Sequence, residues 1–193
     1  MLNMLAFTVQ SSSVAGVPPY IVVGQGPTRT EIKPSAPKDD SYWIVFLDAN
    51  KPANKVAEFV VPGVNNTSVP PGVDQYMKNP AYLFAVVTQF IGTTQLPQGD
   101  FYNYLAACGA GRELQRLEQI LTTVGCGMFG QLSYVLAGQC GTQDSGSPAY
   151  EISGTSQQPA ALLMSLMPML NNQPPYSLCN SYTFSTQPQA AHA

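Results

Sequence analysis

Two six-residue runs, Tyr42-Trp43-Ile44-Val45-Phe46-Leu47 and Tyr82-Leu83-Phe84-Ala85-Val86-Val87, are apolar or aromatic at every position. Successive side chains of a β-strand point to opposite faces, so such a run leaves no face for water. Each run therefore predicts a strand buried on both sides, the habit of a central strand in a layered fold.

The intervening segments fit that frame. Asp48-Ala49-Asn50-Lys51-Pro52 turns the chain, and Val56 to Val61 returns as an antiparallel partner of the first run. Pro62 to Gly72 is a loop. Leu96-Pro97 opens a helix in which Phe101, Tyr104, Leu105 and Cys108 share one face, stopped by Gly109 and Gly111. A second helix follows from Arg112: Leu114, Leu117, Leu121 and Val124 recur on one face, and Arg112, Glu113, Gln115, Arg116, Glu118 and Gln119 fill the other. Glu113 and Arg116 make an i,i+3 ion pair there. A glycine corner (Gly125, Gly127, Gly130) leads to a strand over Leu132 to Ala137.

The two ends are broken into short pieces. Leu5 to Val9 and Tyr20 to Val23 are strand-like but separated by Ser11-Ser12-Ser13 and Pro18-Pro19, and Pro27, Pro34 and Pro37 keep the chain extended afterwards. Tyr150-Glu151-Ile152, Ala160 to Met169 and Tyr176 to Phe184 are the corresponding pieces at the other end, with residues 185–193 as a frayed tail. The expected architecture is α/β or α+β: a mixed sheet covered by helices, with extended strand-like arms. It divides into an N-terminal arm (1–41), a core (42–141) and a C-terminal extension (142–193). The arm strands are too short to form a stable sheet alone, so their backbone groups need partners if buried, and the exposed edges of the central sheet, in the same or a neighbouring subunit, are able to supply them. Deleting residues 1–30 is then expected to leave the core folded and to shift an oligomer towards monomer.

Only 10% of the residues are charged, against about a quarter in typical soluble domains. With a net charge of −3, little electrostatic repulsion keeps copies apart, which suits a chain that lives assembled. The cations Arg29, Lys33, Lys38, Lys51, Lys55, Lys78, Arg112 and Arg116 are scattered, which excludes a phosphate-binding nucleic-acid surface. No run approaches the ~20 apolar residues of a membrane-spanning helix. The start has no basic segment ahead of its short apolar run, so a secretory signal is not expected and a cytoplasmic location is favoured. Cys108, Cys126, Cys140 and Cys179 form no CxxC pair, and His192 is the only histidine. This argues against zinc and for buried structural thiols; disulfide pairing stays open.

The core resembles the interleukin-like EMT-inducer (ILEI) or PANDER-like domain, also called the GG domain, over about residues 42–141. The likeness rests on Trp43-Ile44-Val45-Phe46-Leu47-Asp48-Ala49, a strand running into an aspartate turn, and on the returning strand Val56 to Val61. It continues in Leu121-Thr122-Thr123-Val124-Gly125 and in the tyrosine strand Ser133-Tyr134-Val135-Leu136-Ala137-Gly138-Gln139-Cys140-Gly141. Of the family's loop after the third strand, Thr88 to Thr94 keeps only Gly92. The cysteines do not match the disulfides of the family's secreted members. The resemblance implies a fold and, with the Tyr102–Asn103 patch, a carbohydrate-binding alternative.

Catalytic constellations are hard to assemble. Ser133 has no histidine near it in the sequence to serve as base. Cys126, in Gly125-Cys126-Gly127, is flanked like a reactive thiol but fits better as a small residue packed at a corner. Glu113 and Glu118 do not face the same way on a helix. Trp43 belongs to the core. The expectation is a non-enzymatic structural or interaction protein that self-associates or docks, without cofactor or metal. Met164, Met167 and Met169 offer an adaptable apolar contact for assembly. The alternative is a lectin-like module in which Asp100, Tyr102 and Asn103 form an aromatic and polar patch for a glycan.

Overall fold

Because Tyr42 to Leu47 and Tyr82 to Val87 are apolar throughout, the sheet that holds them needs cover on both faces. The computed structural model, which describes residues 4–124, 130–141, 149–155, 158–171 and 173–183, meets that requirement. Strand β4 (Ser41–Asp48) is buried from Ser41 to Leu47, and strand β6 (Tyr82–Gln89) from Leu83 to Gln89. Strand β8 (Gln131–Gln139) is buried from Leu132 to Gly138. Together with β5 (Lys51–Pro62), the short β7 (Ile91–Gly92) and β9 (Tyr150–Thr155) they form one sheet, with β5, β4, β6, β8 and β9 side by side. One row across it reads Phe59, Ile44, Val86, Leu136 and Glu151, and every ladder is antiparallel. Phe90, at a φ of +48°, kinks the chain between β6 and β7.

The expected α/β or α+β class, a mixed sheet covered by helices, is overturned. Strand makes up 48% of the structure and helix 21%, and the sheets are antiparallel. The physical reason is that helices cover only one face of the central sheet. The other face is covered by a second antiparallel sheet built from the two chain ends, in the order β11 (Gln173–Thr183), β10 (Ala161–Leu170), β1 (Leu5–Gln10), β2 (Tyr20–Gly24), β3 (Thr30–Ile32). The arm strands do not wait for the edges of the central sheet. They pair with one another, Phe7 opposite both Val23 and Met164. Each piece is apolar at alternate positions, so the assembled sheet has one apolar face to lay down.

Two cores follow, one on each face of the central sheet. Between the sheets, Trp43, Val45 and Leu47 pack with Phe7, Val9, Ile21 and Leu162. On the far face, Tyr42, Ile44 and Phe46 pack with Phe101, Leu105, Leu114 and Leu117 from the helices. Strand alternation sends the first set one way and the second set the other. Burial of this kind contributes about 25 cal/mol per Å² of apolar surface, the dominant favourable term in a chain of which only 10% is charged.

Ser11-Ser12-Ser13, a break in the sequence pattern, joins the sheets instead of separating elements. Ser11 Oγ accepts from Ala160 N at 2.8 Å, Ser12 N donates to Thr88 O at 3.0 Å, and Phe90 N donates to Ser12 O at 2.8 Å. All three serines are buried. Their small hydroxyl side chains let the backbone leave β1 and reach β6 with its polar groups satisfied.

The helices are α1 (Asp74–Met77), α2 (Gly99–Ala107) and α3 (Arg112–Val124). The predicted inward faces hold where described: Phe101, Leu105 and Cys108 are buried on or just after α2, and Leu114 and Leu117 on α3. Gly109 ends the first of these with a φ of +98°, and a Cβ there would lie 2.6 Å from that of Ala149. Glycine is needed on both counts.

Candidate functional site

The segment between β7 and α2 is fastened from below. Gly92 N donates to Gln95 Oε1 at 2.6 Å, Tyr42 OH donates to Gln95 O at 2.7 Å, and Asn66 Nδ2 donates to Leu96 O. Gln98 N in turn donates to Asn66 O at 2.8 Å. These bonds hold Leu96 and Pro97 as a stable wall. Opposite it, Leu114, Glu118 and Thr122 stand one helical turn apart on α3, so they form a single stripe. Between wall and stripe lies a cleft of about 550 Å³, lined in addition by Thr93, Thr94, Gln98, Gly99 and Tyr102. Leu96, Pro97 and Leu114 give it an apolar side.

The structure separates the patch expected at Asp100, Tyr102 and Asn103. Tyr102 is half-buried and lines the cleft, whereas Asp100, in the first turn of α2, and Asn103 are exposed and do not. At about 100° per residue, Tyr102 points away from both Asp100 and Asn103. The methionines are divided too. Met164 is 3% exposed and fills the core between the sheets, Met167 is half-buried on the outer side, and Met169 is 59% exposed. On β10, even-numbered residues such as Leu162, Met164 and Leu166 point inward, so Met164 offers nothing to a partner.

The nucleophile candidates take unreactive places or fall outside the described residues. Ser133 is buried on β8, and its Oγ has no hydrogen-bond partner among the described residues. Cys126 and His192 lie outside the described residues. Cys108 and Cys140 are buried in the helix-covered core and are not in disulfides. Burial, reinforced by Asp74, pushes the Cys108 thiol up to about 12, and burial followed by the neighbouring Cys108 raises Cys140 as well. Thiolate is the reactive form, so neither is a nucleophile near neutral pH. No group of three or more His, Cys, Asp or Glu residues able to hold a metal occurs among the described residues. No helix among them is long and apolar enough to cross a membrane.

Sequence reasoning missed a polar cluster at the start of α3. Glu151 Oε1 on β9 accepts from Gly111 N at 3.0 Å and Glu113 N at 2.8 Å, and its Oε2 accepts from Tyr134 OH at 2.9 Å. Glu113 Oε2 accepts from Ser153 Oγ at 2.6 Å and lies 3.4 Å from Arg116 Nε, the ion pair expected from the spacing. Arg116 Nη2 donates to Ser153 Oγ at 3.2 Å. Burial, then the adjacent Glu151 carboxylate, hold the Tyr134 phenol well above its ordinary value. A carboxylate at a helix N-terminus meets both unpaired N–H groups and the positive end of the dipole. Each of these carboxylates is already engaged, so the cluster fastens α3 to β9 and leaves the cleft as the open site. Beyond the Glu113–Arg116 spacing, the sequence signals it by one acid in a short strand, Tyr150-Glu151-Ile152.

No family model matches this chain, and no curated protein is significantly similar to it. The likeness of residues 42–141 to the ILEI domain therefore rests on the quoted residues alone.

Proposed function

We propose that this chain is a non-enzymatic structural or interaction protein whose partner is a second copy of itself, docked on the outer face of the arm-built sheet. One observation carries the reading: β1, β2, β10 and β11 contain no charged residue at all. Glu31 on β3 is the one charged side chain within the strands of that sheet. A sheet with one face in water ordinarily alternates apolar with polar or charged positions. Here Leu163 is 37% exposed and Met169 59%, and Val22 and Met167 are half-buried beside Thr8 and Ser165.

Such a face suits its own copy. Contact between two of them desolvates few charges, and Glu31 is paired to Lys33 at 2.5 Å within the chain. A two-fold contact would set the face against itself. β11 forms the outer edge of the same sheet, and neither it nor β10 beside it carries the lysines with which natural edges discourage pairing.

Sedimentation velocity from about 5 to 500 μM tests this, since self-association must respond to concentration. The expected result is a concentration-dependent oligomer, dispersed by Leu163→Lys with Val22→Lys. A monomer over the whole range, or an oligomer indifferent to the two lysines, would overturn the reading. The carbohydrate alternative retains Tyr102 alone of its three residues in the cleft.

A further inference from the structure

We propose that the cleft between α2 and α3 binds a small organic cation, a protonated amine carried on an apolar stem. Among the described residues that line the cleft, Glu118 is the one charged side chain, and no lysine or arginine joins it. The Glu118 carboxylate has no ion-pair or hydrogen-bond partner among the described residues; its backbone carbonyl alone accepts, from Thr122 Oγ1 at 2.8 Å. The other acid on the same helix, Glu113, is consumed by Ser153 and Arg116. Arg116 leans towards β9, so it does not neutralise the cleft.

The remaining lining supplies the rest of a cation site. Tyr102 offers an aromatic surface, whose negative face attracts an ammonium group. Leu96, Pro97 and Leu114 offer apolar contact for a stem, and Thr93, Thr94 and Gln98 supply polar groups around it. About 550 Å³ is within the range of small-molecule sites. An anionic ligand would meet uncompensated negative charge. A neutral sugar would donate hydroxyls to Glu118 but would leave its charge uncompensated. The site is independent of the proposed self-association face, because the helices and the arm-built sheet lie on opposite sides of the central sheet.

NMR titration of the full chain at low salt, with n-hexylammonium, 1-hexanol and methyl β-glucoside as probes, tests the proposal. The expected result is that the amine binds with shifts at Tyr102 and Thr122, and that hexanol binds about threefold to fivefold more weakly. Glu118→Gln should bring the amine down to the affinity of the alcohol. Because Glu118 is exposed, the variant should fold as the parent does, and raising the salt on the parent protein checks the same charge without a mutation. Equal binding of amine and alcohol, an amine affinity unchanged by Glu118→Gln, tighter binding of the glucoside, or no amine binding by about 20 mM would each overturn it.

Discussion

Phe7 is a discriminating place to perturb the fold, because it lies in a segment that looks expendable by sequence. It is fully buried between the sheets, in the same cluster as Trp43, opposite Val23 on one side and Met164 on the other. Phe7→Ala removes a ring from a close-packed interior and leaves a cavity, which costs about 3–5 kcal/mol in comparable cores. For a chain of this size that is a fall in Tm of roughly 6–20 °C. Thr8→Ala, one residue on and facing outward, should cost under about 0.5 kcal/mol. Urea unfolding followed by tryptophan fluorescence is well matched, since Trp43 is the only tryptophan and sits at 1% exposure in the affected core. The arm and the central sheet should unfold in one transition. A loss below about 1 kcal/mol, or an arm that melts while Trp43 fluorescence stays native, would show that the terminal strands are not part of the core. By the same logic, deletion of residues 1–30 should unfold the protein, the reverse of what the sequence suggests, because it strips the cover from Trp43, Val45 and Leu47.

Three other outcomes follow from particular contacts. Glu151→Ala should cost about 2–3 kcal/mol, through lost charge-assisted bonds to Gly111 and Glu113 and a buried Tyr134 hydroxyl left unpaired; thermal melts would show it, and a loss near zero would refute the fastening role. Gly109→Ala should cost at least about 2 kcal/mol, from its φ of +98° and the 2.6 Å approach to Ala149, while Gly111→Ala, with open space around it, should be near neutral; comparable melts for the two would contradict the geometry. Cys108, Tyr42 and Tyr134 are acids held neutral by burial, so the unfolded chain ionises first. Their stabilisation is complete below the unfolded thiol value, near 9, and is lost as pH rises towards about 12, so the urea midpoint should fall steadily above pH 9 and be insensitive to these groups near pH 7.

Much of the central sheet could be read directly. Tyr42 to Leu47 and Tyr82 to Val87 announce double burial because strand alternation is a local rule, and the structure spends both faces as the pattern requires. The inward faces of α2 and α3, the stop at Gly109 and the Glu113–Arg116 pair are legible for the same reason, since residues three and four apart on a helix are neighbours whatever lies elsewhere. The candidate site was legible in one residue, Tyr102. Glu118, which the helical pattern places on the polar face and away from Glu113, lines the same cleft.

What covers the second face of the central sheet was decided by tertiary structure alone. Helices were the expected cover, yet Phe7 meets Met164, and Ser11 meets Ala160, across most of the length of the chain. A strand of five or six residues says which of its faces is apolar but not which other strand will pair with it, since ladder hydrogen bonds are made by backbone groups that every residue shares. The same holds for Glu151, whose carboxylate finds the start of α3 only after β9 has joined β8. Local periodicity determined the elements and their buried sides. The choice among partners, and with it the change from a helix-covered sheet to two antiparallel sheets with helices on one side, came from the collective burial that only the assembled chain can achieve.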